Sequence, residues 1–148
     1  MLRKSNDKGF TLLEVLVSVV IVSIGLLGVA AMQTTAILGN TSAINRTRAL
    51  GLAEEMVDRI RVNAGSTPNI YDAINTSGVC GGSEPALGDC TQWQTRLQAS
   101  GLSNAFGTVA VTTDSPITKS ATITVTVTWG IGATGSVTFT TIMETWLT

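Results

Sequence analysis

Few side chains in this 148-residue chain are suited to catalysis. The sequence has no histidine and two cysteines, which excludes a histidine-based catalytic triad. Its acidic residues form no recognisable pair for general acid–base catalysis. Lys119 stands directly before Ser120 and does not form the S-x-x-K pattern of a serine nucleophile with a lysine base. The sequence therefore predicts a protein without enzyme activity.

Cys80 and Cys90 lie in a glycine-rich stretch. The simplest interpretation is one disulfide, provided that this part of the chain is exported to an oxidising compartment. Such a bridge would close a short loop and stabilise the fold by about 3 kcal/mol or less. The alternative is two unpaired thiols. No metal site is predicted, because two cysteines without histidine supply too few ligands for structural zinc.

Residues 130–135 formally match the pattern G-x-G-x-x-G. A dinucleotide-binding fingerprint needs a strand before the glycines, a helix after them and an acidic residue about 20 positions later. Here a predicted strand follows the glycines, where the fingerprint requires a helix. This stretch is therefore predicted to be a hairpin loop, and the sequence predicts no cofactor.

Glu14 stands at the head of an apolar run. Residues 15–32 are 18 positions without a charge, close to the roughly 20 apolar residues with which a helix crosses a bilayer. A carboxylate inside such a segment costs roughly 3 kcal/mol on insertion scales, so it usually serves a partner. The alternative is that Glu14 lies at the membrane surface.

Charge is distributed unevenly along the chain. Residues 1–9 have a net charge of +2 and the whole chain has −1, which leaves −3 for the remainder. Positively charged flanks of membrane segments stay in the cytoplasm, so the C-terminal part is predicted to be exported. No basic patch indicates nucleic acid as a partner.

Two maturation routes fit the N-terminal segment. A basic region, an apolar stretch and then small residues, here 28–30 or 29–31, are typical of a cleaved secretory signal. Cleavage there would release a soluble binding domain that starts near Ala31 or Met32. This route leaves Glu14 unexplained, and the apolar run is longer than the usual stretch of about 7–15 residues.

The second route rests on the motif Gly9-Phe10-Thr11-Leu12-Leu13-Glu14 ahead of the apolar run. The motif resembles the class III leader of type IV pilins and pseudopilins. The resemblance implies that a prepilin peptidase cleaves between Gly9 and Phe10, that Phe10 is then N-methylated, and that the hydrophobic helix is retained. It also implies that Glu14 pairs with the N-terminal amine of a neighbouring subunit, since a carboxylate buried among apolar helices needs a positive partner.

Residues 23–30 and 53–63 resemble PilV-type minor pilins, as does the later order of a cysteine pair, Asp89, Trp93 and Leu97. The resemblance implies a non-catalytic, low-abundance subunit that primes pilus assembly, sits at or near the tip and supports a PilY-type adhesin. Other minor pilins, the major pilin and prepilin peptidase are its implied partners. The alternative within the class is a type II secretion minor pseudopilin.

The same resemblance implies a place for the protein. It would start as a single-pass inner-membrane protein with a periplasmic C-terminal domain and end in the pilus on the cell surface. Major pilins usually carry their disulfide near the C-terminus, so a central Cys80–Cys90 pair argues against a major subunit.

Helical periodicity continues beyond the apolar run. Residues 33–62 contain no proline and are compatible with one continuing helix, in which Glu55 and Arg59 form a favourable pair. An apolar stripe is predicted along it, formed by Leu50, Ala53, Val57 and Ile60. Residues 66–88 are turn-rich, with a short helix near residues 70–74. Residues 89–97 are predicted to form a helix that Asp89 or Thr91 caps and that carries Trp93 and Leu97 on one face.

The C-terminal part is predicted to be an antiparallel sheet. Residues 121–129 alternate between apolar residues and threonine, after a short strand at residues 109–111. Residues 136–147 are the predicted hairpin partner, with a bulge at Thr140 and Thr141 where the apolar phase changes.

These elements and the pilin resemblance together predict an α+β fold, with a long N-terminal helix packed on a small antiparallel sheet. The expected boundaries are a leader (1–9), a transmembrane half of the helix (10–32), an amphipathic half (33–62) and a periplasmic globular domain (63–148).

Overall fold

The computed structural model describes residues 9–64, 67–113 and 120–144. Its helices are α1 (Leu12–Asn63), a 3-10 helix (Pro68–Tyr71) and α2 (Ala86–Ala99), and its strands are β1 (Phe106–Thr113), β2 (Ser120–Trp129) and β3 (Gly135–Glu144). The predicted α+β fold, a long N-terminal helix with a small antiparallel sheet, is confirmed. The predicted leader lies outside the described residues except for Gly9, and so do Trp146 and Leu147 at the end of the predicted hairpin strand.

The chain divides into two compact units, residues 1–41 and 42–148. The helix α1 contributes to both, and it continues without interruption through the weak helix formers at residues 39–42. Within the first unit every described residue is exposed. All the described residues of the buried core belong to the second unit.

In the second unit, α1 buries one face against the core. Its buried residues follow a spacing of three and four: Ala49, Leu52, Ala53, Met56, Val57 and Ile60. Three members of the predicted apolar stripe lie on this face, but the prediction for Leu50 is wrong, since 38% of its surface is exposed. One residue after Ala49, Leu50 is rotated about 100° around the helix axis and therefore leaves the buried face.

The sheet is antiparallel with the strand order β1-β2-β3. The residues of β2 that face the core are fully buried, and threonines occupy the opposite face, as the alternation predicts: Ala121, Ile123, Val125 and Val127 have no exposed surface. β2 and β3 pair without a break from Ser120 opposite Glu144 to Trp129 opposite Gly135.

The predicted bulge at Thr140 and Thr141 is therefore wrong. The phase of β3 is set by Val137, Phe139 and Met143, which are half-buried against the core. Ile142 lies on the opposite face with 68% of its surface exposed. Exposing one isoleucine on a three-stranded sheet leaves the ladder of backbone hydrogen bonds intact, whereas a bulge would disrupt it.

Trp93 on α2 joins three elements at the centre of the core. Its indole N–H donates a hydrogen bond of 2.9 Å to the backbone oxygen of Leu52 on α1, and the side chain is fully buried. The ring lies so close to Gly107 of β1 that a Cβ at this position would overlap it. Position 107 must therefore be a glycine for the Trp93 ring to pack in the core.

The outer edge of β1 is covered by the chain segment that follows the 3-10 helix. Val109 donates its backbone N–H to Ile74 O (2.9 Å), and Thr76 donates its N–H to Gly107 O (2.9 Å). Asp72 accepts the N–H of Val111 with its side chain (2.9 Å). This edge of the sheet is consequently satisfied within the molecule.

Cys80 and Cys90 form the disulfide that the sequence predicts, with their Cα atoms 5.9 Å apart. Cys90 lies on α2 and is buried in the core, whereas Cys80 belongs to the preceding loop. The bridge therefore ties this loop to α2. Residues 130–134 form the loop between β2 and β3, as predicted for the glycine-rich stretch.

Candidate functional site: the N-terminal segment and the Asp89 cluster

Thr11 caps the N-terminus of α1. Its backbone oxygen accepts the N–H groups of Glu14 (3.0 Å) and Val15 (3.3 Å), and its hydroxyl oxygen also accepts the Glu14 N–H (3.3 Å). Glu14 occupies the third position of the helix, where a carboxylate interacts favourably with the positive end of the helix dipole. Glu14 thus has a local stabilising role in addition to any role towards a partner.

The N-terminal half of α1 presents an apolar surface. An 18-residue window in it reaches a mean hydropathy of 2.7 with no buried residue, so the helix is long and apolar enough to cross a membrane. Its hydroxyl groups are satisfied inside the helix: Ser18 Oγ donates to Glu14 O (2.7 Å) and Ser23 Oγ donates to Val19 O (2.7 Å). Such internal bonds allow serine to face lipid without an unpaired polar group.

The predicted processing residues lie just before this helix. Gly9 and Phe10 belong to no helix or strand, and 83% of the Phe10 surface is exposed. Glu14 has no ion-pair partner within the described part of the chain. The structure therefore places Gly9, Phe10 and Glu14 within one exposed segment of six residues.

In the second unit a buried carboxylate organises a polar cluster. Asp89, 6% exposed, accepts hydrogen bonds from the Tyr71 hydroxyl (2.5 Å) and the Asn63 side-chain amide (2.8 Å) on the same oxygen. Its other oxygen lies 3.3 Å from Nη1 of Arg59. These donors come from α1 and from the 3-10 helix, so Asp89 fastens both to α2. We call Asn63, Tyr71, Asp89 and Arg59 the Asp89 cluster.

The prediction that Asp89 or Thr91 caps this helix is wrong. α2 starts at Ala86, three residues earlier than predicted, with Pro85 at the capping position and no side-chain cap. Asp89 is thereby carried into the first turn, on the buried face. The sequence did contain a signal for this, because Asp89, Trp93 and Leu97 are spaced by four and share one face of the helix. A carboxylate on the buried face of a helix needs hydrogen-bond donors from the elements that pack against it.

Arg59 extends the cluster along the surface. It lies 2.9 Å from Glu55 Oε1, which confirms the predicted pair, and it donates a 2.8 Å hydrogen bond to the Gln92 side-chain oxygen. Arg96 on α2 contacts the second oxygen of Glu55 at 2.7 Å. Alternating charges therefore bridge α1 and α2, with the buried Asp89 at one end of the chain of contacts and the exposed Arg96 at the other.

Tyr71 is fully buried beside this carboxylate. Burial, and then the hydrogen bond to Asp89, raise the pKa of the Tyr71 hydroxyl well above its ordinary value of 10.0. The hydroxyl is thus held as a proton donor, and the cluster is suited to fixing the fold. The described residues contain no group of three or more His, Cys, Asp or Glu side chains placed to hold a metal ion.

Two family models match the chain over a continuous stretch. The model of the prokaryotic N-terminal methylation motif matches residues 4–30, and the model of type IV pilin Tt1218 matches residues 31–103. The chain belongs to the type IV pilins. No curated protein and no solved structure matches it at a significant level.

Both regions described above lie within the matched stretches. The methylation-motif match contains Gly9, Phe10 and Glu14, and the pilin match contains the disulfide and the whole Asp89 cluster. Type IV pilins are structural subunits, and their partners in general are other pilins and the prepilin peptidase. The methylation motif and the apolar helix α1 fit a pilin that is anchored in the inner membrane.

Proposed function

We propose that this pilin is a PilV-type minor subunit, which primes assembly of a type IV pilus, sits at or near its tip and supports a PilY-type adhesin. The observation that carries the proposal is the central disulfide. Cys80 and Cys90 join the loop before α2 to that helix, rather than a segment near the C-terminus as in most major pilins. The likeness of residues 23–30 and 53–63 to PilV-type proteins supports the same assignment.

Maturation is proposed to follow the pilin route. Prepilin peptidase cleaves between Gly9 and Phe10, and Phe10 becomes N-methylated. The exposure of Phe10 and the open space around Gly9 support access by a peptidase. The mature chain then consists of a transmembrane half of the helix (10–32), an amphipathic half (33–62) and a periplasmic domain (63–148).

Glu14 is the proposed assembly residue. Its carboxylate has no ion-pair partner in the described chain, and cleavage creates a cationic amine four residues before it. In a bundle of apolar helices, an amine from a neighbouring subunit would neutralise this carboxylate. A charge pair between Glu14 and the N-terminal amine of a neighbouring subunit would also fix the axial offset between the helices of the two subunits.

Intact mass spectrometry of the protein extracted from membranes tests the maturation. A chain that begins at N-methylated Phe10 is the expected result. A chain that begins near Ala31 or Met32 would contradict the proposal, because the assembly helix would then be lost and the protein released as a secreted domain.

A deletion strain tests the role in the pilus. Loss of the gene is expected to reduce surface pili strongly while the amount of major pilin in the membrane stays unchanged, and complementation restores them. In sheared pili the protein should be far less abundant than the major pilin and should label at filament ends. Normal piliation combined with a defect in secreting exported enzymes would assign the protein to type II secretion instead.

A further inference from the structure

The two edges of the sheet differ in how they are protected. The edge of β1 is hydrogen-bonded to the segment that follows the 3-10 helix, as described above. β3 pairs with β2 on one side, and no backbone group within the described ranges pairs with its other side. Residues 135–143 contain no proline and no charge, and the strand has no bulge. Apart from Glu144 at its end, the strand therefore lacks the proline, charges and bulges that usually protect an edge strand from a further strand.

The side chains of β3 that face the core are incompletely covered. Val137, Phe139 and Met143 are half-buried and form a row along the strand. Another strand hydrogen-bonded to β3 would lie about 4.8 Å further out and would place its own alternate side chains beside this row. The row thus favours an added strand with apolar residues at alternate positions.

A small pocket lies beside the same strand. It has a volume of about 240 Å³ and is lined by Glu54, Val57, Asp58 and Arg61 of α1 and by Phe139 of β3. Arg61 is engaged by Asp58 (3.2 Å) and by the Thr141 hydroxyl (3.0 Å). Glu54 is exposed and has no ion-pair partner among the residues that the structure describes. Among the described residues, the pocket therefore retains one negative charge without a partner.

We propose that the β3 edge and the Glu54 pocket together bind an extended segment of a partner protein. The segment adds a strand to β3, presents apolar residues to the Val137–Phe139–Met143 row, and inserts one Lys or Arg side chain beside Glu54. Backbone hydrogen bonds give such a complex its affinity, and the pocket selects the side chain. The inference concerns residues 42–148 and does not depend on whether the pilin serves a pilus or a secretion system.

A second copy of this chain fits the site less well than a different protein. β3 itself contains Glu144 and no Lys or Arg, so pairing β3 with the β3 of another copy would bring no cation to Glu54. It would also bring two copies of the same uncompensated charge into one assembly. The partner is therefore a different chain, whose strand has apolar residues at alternate positions and one basic residue among them.

Binding of synthetic strands to the full-length protein in detergent micelles tests the proposal. The probe is a fluorescent ten-residue peptide of alternating threonine and valine in which lysine replaces one central valine. The matched probe carries glutamate at that position. The lysine peptide is expected to bind about fivefold more tightly, because its cation is attracted to Glu54 and the glutamate of the matched probe is repelled. Glu54→Lys should reverse this order, whereas Glu84→Lys, the same charge change in the loop before α2, should leave it unchanged.

Two further measurements test the mode of binding. A lysine peptide N-methylated at every backbone nitrogen has no N–H to donate from either edge, so it cannot pair with β3 as a strand and should not bind. On addition of the unmodified lysine peptide, amide hydrogen exchange should slow in β3 and remain unchanged in β1, whose edge is already paired. Equal affinities of the lysine and glutamate peptides, unchanged exchange in β3, or dimerisation through β3 without peptide would each overturn the proposal.

Discussion

The hydroxyl of Tyr71 donates a 2.5 Å hydrogen bond to the carboxylate of Asp89, and both side chains are buried. Tyr71 belongs to the 3-10 helix and Asp89 to α2, so the contact joins two elements through residues that are 18 positions apart in sequence. Asn63, the last residue of α1, donates to the same carboxylate oxygen. The end of the long helix is therefore held in place by a charged group inside the globular unit.

Ionisation of Tyr71 should require an unusually high pH. Burial and the neighbouring carboxylate raise its pKa above the ordinary value of 10.0, and it is the only tyrosine in the chain. Ultraviolet absorbance of tyrosinate therefore reports on this residue alone. The titration midpoint of the folded protein should lie above pH 10, and that of the urea-unfolded protein near pH 10. Equal midpoints would contradict the buried hydrogen bond.

The same shift makes stability depend on pH. A raised pKa of Tyr71 contributes stability that is complete below the unfolded pKa of about 10 and is lost as the pH rises further towards the folded pKa. The unfolding free energy should fall above pH 10 by up to about 1.4 kcal/mol per pH unit from this residue. Tyr71→Phe should lack this component, as urea unfolding followed by tryptophan fluorescence can establish.

Asp89→Ala should destabilise the globular unit by about 3 kcal/mol, because it leaves the buried Tyr71 hydroxyl without an acceptor and removes the contacts of Asn63 and Arg59 with the carboxylate. Asp58→Ala is the matched control, since the Asp58 side chain is 70% exposed and its ion pair with Arg61 is screened by water. The control should change the free energy of unfolding by less than about 1 kcal/mol. Urea unfolding measures both variants, and similar losses would show that Asp89 is not a buried anchor.

Gly107→Ala should destabilise the fold by about 2 kcal/mol or more, because its Cβ would overlap the Trp93 ring. Gly51→Ala is the opposite control: Gly51 is exposed on α1 and a Cβ there meets no atom within 4 Å. Helix propensity predicts a gain of about 1 kcal/mol for that variant. Thermal unfolding monitored by near-ultraviolet circular dichroism separates the two outcomes, and a neutral Gly107→Ala would refute the close contact.

Glu14→Ala should leave the protein in the membrane but prevent its incorporation into pili. Removing the carboxylate makes the apolar segment less costly to insert and takes away the group proposed to pair with a neighbouring amine. Fractionation followed by immunoblotting of membranes and sheared pili measures both effects. Thr11→Ala controls for the loss of helix capping, and incorporation of Glu14→Ala at the normal level would refute the assembly role.

Reduction of the disulfide should lower the free energy of unfolding by about 3 kcal/mol or less, because the bridge joins two residues only ten positions apart in sequence. Unfolding curves with and without a reducing agent give this value. Because Cys90 lies in the buried core, we expect α2 to persist after reduction while the loop before it loses protection from hydrogen exchange.

Local patterns were sufficient for most of the elements. The long helix, the alternating strand β2 and the hairpin were predicted because each arises from a periodicity within a few neighbouring residues. The exposed position of Leu50 was not predicted. Whether an apolar residue at the border of the helix face is buried depends on which side of the helix contacts the core, and the sequence alone does not give this. The bulge in β3 was predicted wrongly for the same reason, because Ile142 was assigned to the buried face.

The sequence by itself determined the pilin-type segment. Its features are contiguous in the chain and need no tertiary contact to be recognised: the glycine–phenylalanine junction, the glutamate after it and the apolar run. Only the tertiary structure decided the role of Asp89. Its donors Arg59, Asn63 and Tyr71 lie 30, 26 and 18 residues away in sequence, and packing of the core brings them together. The same holds for the free edge of β3 and the pocket beside it, because α1 and β3 approach each other only once the core residues between them are buried.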